Sequence, residues 1–206
     1  MAGILAVVIA YLIGAIPFGY VLVKLSTGKD VRASGSGNIG ATNVLRTTGR
    51  GVAVAVLILD IAKGFFAVWL AAYLTGDSSL WTSAAALAVM AGHAFPVFLG
   101  FKGGKAVASF TGAFLYLTPL PLFCVAIVFV IVVAATRHIS AGSIIGAAMF
   151  PLGVWLILHP PAPVLLASLI AAAFIVYRHK SNVQRLRAGT ESVFAWKSPR
   201  NDGSWK

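Results

Sequence analysis

The residues that could do chemistry stand in three short polar stretches of an otherwise apolar chain. The first stretch is a glycine-rich run followed by an arginine. Its candidate phosphate-binding residues are Gly35, Ser36, Gly37, Asn38, Gly40, Thr42, Asn43 and Arg46. Glycines let several backbone N–H groups converge on one oxyanion, and arginine can bind it with two parallel hydrogen bonds. We therefore expect this loop to bind phosphate.

The second polar stretch ends in two glycines and a lysine. Its candidate residues are His93, Lys102, Gly103 and Gly104 for substrate binding and Lys105 for catalysis. Glycines and a lysine at the start of a helix favour anions, because free N–H groups and the helix dipole act together. The stretch is not a Walker A loop, since Ala106 stands where Ser or Thr would hold Mg²⁺. His93 could equally be a packed interfacial histidine, and Lys102 a charge for lipid headgroups.

The third polar stretch, residues 177–191, is basic and follows the last apolar run. His179 and Asn182 are three residues apart, so a helix places both on one face, where they could contact a substrate. The basic side chains around them suit an amphipathic tail that binds lipid headgroups. Ser143, beside another apolar run, could add a hydroxyl to the site or cap a helix.

Asp60 and Lys63 are charged residues inside the apolar run 52–75. A charge at the centre of a membrane costs about 2.5–3.5 kcal/mol, so a pair there needs a reason. Their spacing puts them on one helix face, and we expect a structural ion pair. The glycine run and Asp60 also match a dinucleotide fingerprint. That motif requires a preceding β-strand, and an apolar membrane segment stands there instead.

The composition predicts an all-α membrane protein with several spans. Of its 206 residues, 59% are hydrophobic and 10% are charged, whereas about a quarter are charged in soluble domains. The apolar segments are 3–23, 52–75, 80–93, 106–118, 120–135, 144–158 and 163–177. We expect seven transmembrane helices with the N-terminus outside and the C-terminus in the cytoplasm. Segments 80–93 and 106–118 are short, so a five-span alternative with a re-entrant pair stays open.

The basic residues determine this orientation. Connections 75–79, 118–121 and 159–163 contain no Lys or Arg, and the other connections contain many, so the positive-inside rule places the polar stretches in the cytoplasm. The same rule explains the net charge of +11 without nucleic acid as a partner. The lone Cys124 excludes a disulfide framework. No motif indicates a metal, a cofactor or an obligate protein partner, and we expect one domain, 1–195, with a polar tail, 196–206.

Three ordered motifs resemble the bacterial acyl-phosphate:glycerol-3-phosphate acyltransferases, the PlsY family. They are GSGNIGATN with Arg46, GHAFPVFLGFKGGKAVAS from Gly92 to Ser109, and YRHKSNVQRLRAGTE from Tyr177 to Glu191. The similarity covers nearly the whole chain. Ala106 and Ser109 depart from the glycine and threonine that are usual at these positions.

The resemblance implies an enzyme of the bacterial plasma (inner) membrane with its active site on the cytoplasmic side. It would transfer a fatty acyl group from acyl phosphate to the 1-hydroxyl of glycerol 3-phosphate, giving lysophosphatidic acid and inorganic phosphate. In that family the first motif carries a critical serine and arginine, which match Ser36 and Arg46. The second motif is associated with glycerol 3-phosphate binding, and its lysine matches Lys105. The third carries a histidine, an asparagine and a structurally important glutamate, which match His179, Asn182 and Glu191.

The residues themselves leave three alternatives open. Acyl-CoA could be the donor, since no feature of the sequence excludes it. A phosphate-ester transporter would also use glycine loops and basic residues, although its site would lie near the membrane midplane. Either His179 or the departing phosphate could accept the proton of the attacking hydroxyl.

Overall fold

The computed structural model describes residues 1–194, and these residues form ten α-helices and no β-strand. The helices are α1 Ala2–Ala15, α2 Phe18–Thr27, α3 Ala41–Thr47, α4 Arg50–Thr75, α5 Ser79–Ala94, α6 Val107–Leu117, α7 Pro119–Thr136, α8 Ile139–Leu158, α9 Ala162–Arg178 and α10 Lys180–Arg187. Each of the seven apolar segments is helical. The tail at 196–206 lies outside the described residues.

Five segments are long and apolar enough to cross a membrane. They are Ala2–Thr27, Arg50–Thr75, Ser79–Leu99, Pro119–Thr136 and Ile139–Leu158. Helices α9 and α10, bent by 53° at their junction, would make a sixth. Helix α6 has 11 residues, about 16 Å of helix, which is short for a hydrocarbon core of about 30 Å. All-α membrane architecture is therefore clear, while seven crossings and their orientation stay predictions.

The first span is broken between α1 and α2. Pro17 lacks an N–H group and disfavours helical geometry at the residue before it, and Ile16 is extended, with φ −63° and ψ 114°. The break removes Ile16 from the regular helix ladder. Its carbonyl accepts a hydrogen bond from Lys63 of α4 at 2.8 Å.

Glycines let pairs of helices approach closely. A Cβ atom at Gly14 of α1 would overlap the Val89 carbonyl of α5, and one at Gly92 of α5 would overlap the Tyr11 carbonyl of α1. Small residues make such contact possible in membranes, where association depends on close packing more than on the hydrophobic effect.

Helices α4 and α6 repeat this reciprocal arrangement. A Cβ atom at Gly64 would overlap the carbonyl of Ser109, and one at Gly112 would overlap the carbonyl of Ile61. Short helix α6 is thereby fixed against the long helix α4.

Two apolar clusters support the polar stretches. The larger one contains three phenylalanines whose ring centroids are 4.9 Å apart, namely Phe110, Phe114 and Phe150. The smaller one lies beside the glycine-rich loop and contains Val23, Val31, Ile39, Val44, Leu45, Ala53 and Val56. A Cβ atom at Gly19 of α2 would overlap the carbonyl of Ile39, so α2 and the loop are in direct contact.

Candidate functional site

A cavity of about 190 Å³ lies where the three polar stretches meet. Its lining residues are Ser36, Gly37, Asn38, Gly103, Lys105, Arg178, Ser181 and Arg185. Three of these are basic and none is acidic. Such a site attracts anions, and its volume is below the roughly 300–1,000 Å³ of pockets that enclose drug-sized ligands.

Asn43 organises the glycine-rich loop. Its side chain is only 2% exposed. The Asn43 Oδ1 atom accepts the N–H of Ser36 at 2.8 Å, and Nδ2 donates to the carbonyls of Val31, Ser34 and Asn38 at 3.3, 3.1 and 2.9 Å. The structure therefore gives Asn43 a supporting role in place of the substrate contact that its sequence position suggests.

The glycines of this loop are needed for its path. Gly35 and Gly37 have φ angles of +60° and +69°, which side chains disfavour. A Cβ atom at Gly35 would also overlap Oδ1 of Asn43. The loop thus folds around one buried amide side chain, and this fold presents Ser36 at the cavity.

Four glycine N–H groups in the two glycine stretches donate to the protein itself. The N–H groups of Gly37 and Gly40 donate to the Ser34 carbonyl and to Asn38 Oδ1. Those of Gly103 and Gly104 donate to the Ala94 and His93 carbonyls at 3.2 and 3.0 Å. The sequence suggests amides that converge on phosphate, but these four are already bonded. Side chains therefore supply the cationic character of the cavity.

Lys105 reaches the cavity from the turn before α6. The turn depends on Ala106, whose φ of +62° is unusual for a residue with a side chain. Burial, with the charge of Arg185 as the next cause, lowers the pKa of Lys105 to about 8. Its ammonium donates to Oδ1 of Asn182. At neutral pH Lys105 is still mostly protonated, and a bound anion would stabilise this charged form.

A chain of polar contacts fixes Asn182. Its Nδ2 donates to Glu191 Oε1 at 2.7 Å, while its Oδ1 faces the Lys105 ammonium. A carboxylate can only accept and an ammonium can only donate, so the two neighbours determine the orientation of the amide.

Glu191 also accepts from Ser140 Oγ at 2.8 Å and from Arg185 Nε at 2.7 Å. Burial opposes its ionisation, but the hydrogen bonds from Asn182, Ser140 and Arg185 prevail and lower the pKa of Glu191. The carboxylate therefore ties α8 and the C-terminal segment to α10.

His179 lies at the bend between α9 and α10 and is 3% exposed. Its Nδ1 lies 2.8 Å from the Ile175 carbonyl, which can only accept, so Nδ1 carries the proton and Nε2 is an acceptor. Burial opposes the charged form, the contact with Ile175 favours it and the charge of Lys105 opposes it again, and together they lower the pKa of His179 to about 4. The imidazole is neutral at pH 7 and is a weak base.

Three cavity residues were not selected from the sequence. Arg178 Nη2 donates to the Gly104 carbonyl at 2.8 Å, and its guanidinium lies over the Phe95 ring. Arg185 is paired with Glu191, and Ser181 is exposed. Arg178, Ser181 and Arg185 are spaced i, i+3, i+7, which is the pattern of one helix face and is the signal that could have identified them.

Arg46 and Thr42 lie on α3 and do not line the cavity. Arg46 is half-buried. Burial lowers its pKa, and the charges of Glu191 and Arg185 act on it as well, so it lies near the cavity wall.

Other candidates from the sequence are also absent from the cavity wall, namely Gly35, Gly40, Asn43, His93, Lys102, Gly104, Ser143, His179 and Asn182. Lys102 is exposed on the loop before α6. Ser143 lies inside α8, where its hydroxyl donates to the Ile139 carbonyl of the same helix at 3.0 Å, so it neither caps the helix nor faces the cavity. His93 is buried next to Asp60, 3.6 Å from it. Asp60 and Lys63 form the ion pair that their spacing predicts, at 2.9 Å.

Known proteins match this chain over most of its length. The family model described as Glycerol-3-phosphate acyltransferase matches residues 4–189. A glycerol-3-phosphate acyltransferase of Desulforamulus reducens is 46% identical over 189 residues, covering 91% of this chain and 93% of that protein. One of Geobacter sulfurreducens is 46% identical over 186 residues, covering 90% and 94%.

The fold also matches solved structures. A crystal structure of PlsY (YgiH), an integral membrane glycerol 3-phosphate acyltransferase, in its glycerol 3-phosphate form has a TM-score of 0.89 and 37% identity, covering 95% of this chain and 96% of that chain. The lysophosphatidic acid form has a TM-score of 0.86 and 36% identity, covering 95% and 97%. Sequence and fold therefore agree over the same residues, and the chain belongs to the glycerol-3-phosphate acyltransferase family.

Proposed function

We propose that this enzyme transfers a fatty acyl group from acyl phosphate to the 1-hydroxyl of glycerol 3-phosphate. The observation that carries the proposal is the cavity with Lys105, Arg178 and Arg185 in its wall and no acidic lining residue. The related structures in glycerol 3-phosphate and lysophosphatidic acid forms support the acceptor and the product. Family membership supports acyl transfer as the reaction.

The main task of the site is to hold two phosphate groups close together. Two dianions repel each other, so the protein must supply cations where they meet. Lys105 comes from the second polar stretch, Arg178 and Arg185 come from the third, and Arg46 adds a further cation near the wall. Holding both reactants in one orientation replaces an encounter in solution and removes much of its entropic cost.

Acyl phosphate is already activated, so no covalent enzyme intermediate is needed. The 1-hydroxyl oxygen of glycerol 3-phosphate attacks the acyl carbonyl carbon, and an oxyanion forms on the carbonyl oxygen. The new C–O ester bond remains while the bond from carbon to the phosphate oxygen breaks, and phosphate leaves with that electron pair. We assign Ser36 as the hydroxyl donor to the oxyanion, because it faces the cavity.

The departing phosphate accepts the proton of the attacking hydroxyl. His179, with a pKa of about 4, is the weaker base, since phosphate esters have a second pKa of roughly 6. The Nε2 atom of His179 can still accept a hydrogen bond from the hydroxyl and orient it.

The variant His179→Gln separates these roles. We expect lower turnover with an unchanged shape of the pH–rate profile, because the glutamine oxygen can still accept a hydrogen bond. If the pH–rate profile of His179→Gln lacks a limb that the wild-type profile has, His179 is the base.

The fatty tail lies outside the cavity. A cavity of about 190 Å³ can hold compact polar groups, but it is too small to hold a long alkyl chain in addition to them. The tail can instead lie along the apolar outer surface, where Phe98 and Phe101 of the loop before α6 are 62% and 59% exposed.

We place the cavity on the cytoplasmic side of the bacterial inner membrane. Its lining residues come from connections rich in Lys and Arg, and such connections stay in the cytoplasm. Glycerol 3-phosphate would enter from water and acyl phosphate from the bilayer.

Purified protein with glycerol 3-phosphate and either palmitoyl phosphate or palmitoyl-CoA tests the donor. We expect equal amounts of lysophosphatidic acid and inorganic phosphate with palmitoyl phosphate, and little product with palmitoyl-CoA. Faster transfer from palmitoyl-CoA, with release of free CoA, would contradict acyl phosphate as the donor.

A further inference from the structure

A buried cluster of charged and titratable residues lies next to the site but does not line it. Asp60, Lys63 and His93 are 2%, 5% and 4% exposed. Lys63 Nζ is 2.9 Å from Asp60 Oδ1, and His93 Nδ1 is 3.6 Å from the same oxygen. Acyl transfer as described above uses none of the three. Buried groups of this kind are costly, so their presence requires an explanation.

The cluster joins three parts of the chain. Asp60 and Lys63 belong to α4, and Lys63 also donates to the Ile16 carbonyl at the break between α1 and α2. His93 belongs to the last turn of α5. The imidazole of His93 thus packs beside an ion pair that joins α4 to the break in the first span. At 3.6 Å its Nδ1 and Asp60 Oδ1 are within ion-pair distance but make no hydrogen bond.

The other edge of the imidazole faces the loop that carries Lys105. A Cβ atom at Gly104 would overlap Nε2 of His93. The Gly104 N–H donates to the His93 carbonyl at 3.0 Å, and the Gly104 carbonyl accepts from Arg178 at 2.8 Å. Gly104 is therefore held at its amide, its α-carbon and its carbonyl, directly before the lysine.

We propose that His93, packed beside the Asp60–Lys63 ion pair, is a positioning residue that fixes where residues 103–105 lie relative to α5. In this arrangement Gly104 lacks a side chain because the imidazole occupies that space. Displacing the imidazole lets the loop move and takes the Lys105 ammonium away from the phosphate of glycerol 3-phosphate. The inference rests on the proposed function, with Lys105 as the cation that binds the phosphate of glycerol 3-phosphate.

Two substitutions at His93 distinguish the contact of its Nδ1 edge with Asp60 from the contact of its Nε2 edge with Gly104. His93→Asn keeps a polar atom near Asp60 but leaves the space under Gly104 empty. His93→Gln is longer and can still reach Gly104. We expect the KM for glycerol 3-phosphate to rise about tenfold in His93→Asn and by less than about threefold in His93→Gln. The KM for palmitoyl phosphate should stay unchanged in both, which general loss of structure would not produce.

A double-mutant cycle tests the contact itself. Gly104→Ala should raise the KM for glycerol 3-phosphate about tenfold, because its methyl group meets the imidazole. In the double variant His93→Asn/Gly104→Ala the methyl group enters the vacated space, so the KM should be no higher than in either single variant. The proposal would be overturned if the KM of the double variant rose by the product of the two single fold-changes. A KM like that of the wild type in His93→Asn would overturn it too.

Two reference variants complete the experiment. His159→Ala, at an exposed histidine on α8's far end, should leave both KM values unchanged. Lys105→Met should raise the KM for glycerol 3-phosphate. If Lys105→Met leaves it unchanged, the proposed function of Lys105 is wrong; if Lys105→Met raises it and the His93 variants do not, only the positioning role is wrong.

Discussion

At the scale of single residues, the Lys105 ammonium gives the site a measurable pH dependence. Its pKa is lowered to about 8 by burial, so the group is a cation below that pH and loses its charge above it. Binding of a phosphate dianion needs the cation. We expect kcat/KM for glycerol 3-phosphate to fall as pH rises through about 8, by about tenfold per pH unit.

The corresponding limb in kcat should lie at higher pH, because a bound dianion stabilises the ammonium. Steady-state rates between about pH 6 and about pH 10 measure both profiles. Lys180→Ala, at an exposed lysine on α10 outside the cavity wall, should leave the profile unchanged. A kcat/KM that stays flat to pH 10 would contradict the role of Lys105.

The hydroxyl of Ser36 is the second test at this scale. Because we assign it to the oxyanion, Ser36→Ala should lower kcat on the order of 10²-fold and change the KM for glycerol 3-phosphate far less. Ser34→Ala is the matched control, since Ser34 lies in the same loop but outside the cavity wall. Turnover like that of the wild type in Ser36→Ala would remove the hydroxyl from the mechanism.

At the scale of helices, the reciprocal glycine contacts should contribute strongly to stability. Gly112→Ala would push its methyl group into the Ile61 carbonyl of α4, whereas Gly153→Ala on α8 meets nothing within 4 Å. We expect Gly112→Ala to lower the free energy of unfolding by about 1–3 kcal/mol through overpacking. Gly153→Ala should be neutral or stabilising by up to about 1 kcal/mol, because alanine favours helix.

Thermal unfolding in one detergent compares the two variants directly. A common fall in Tm would show that the effect comes from losing any helical glycine, and would contradict a specific contact between α4 and α6.

The helices could be predicted from the sequence because apolar runs and polar connections alternate along the chain. The seven apolar segments all appear as helices, with bounds that differ by a few residues. The break at Pro17 and the left-handed backbone conformation of Ala106 were not predicted. Both depend on local backbone angles that hydrophobicity does not encode.

The sequence predicted which residue types form the site but not the contacts that these residues make. The sequence placed Ser36 and Lys105 near each other through their motifs, and both line one cavity. It could not show that Asn43 already occupies the Ser36 amide, since that hydrogen bond depends on the folded loop. It also left Arg185 among lipid-binding charges, because its contact with Glu191 and its place in the cavity wall depend on the folded arrangement.

At the scale of the whole molecule, the orientation in the membrane is open to direct measurement. Ala162 and Ala188 are both exposed and lie on connections that we place on opposite sides. In a Cys124→Ser background, a membrane-impermeant maleimide should label Ala162→Cys in right-side-out vesicles. Ala188→Cys should be labelled only after the vesicles are opened, because its connection is rich in basic residues. Labelling of Ala188→Cys from outside would reverse the orientation.

The short helix α6 also sets how deep the reaction takes place. Gly64 lies 14 residues after the start of α4 yet packs against Ser109, two residues after the start of α6. The reciprocal contact pairs Gly112, five residues after the start of α6, with Ile61, 11 residues after the start of α4. At 1.5 Å per residue, the two contacts place the start of α6, with Lys105 two residues before it, about 9–18 Å further into the bundle than Arg50. With Arg50 at the level of the lipid phosphates, we expect the acyl donor to react below that level and the newly made lipid to move outward by the same distance before it joins the leaflet.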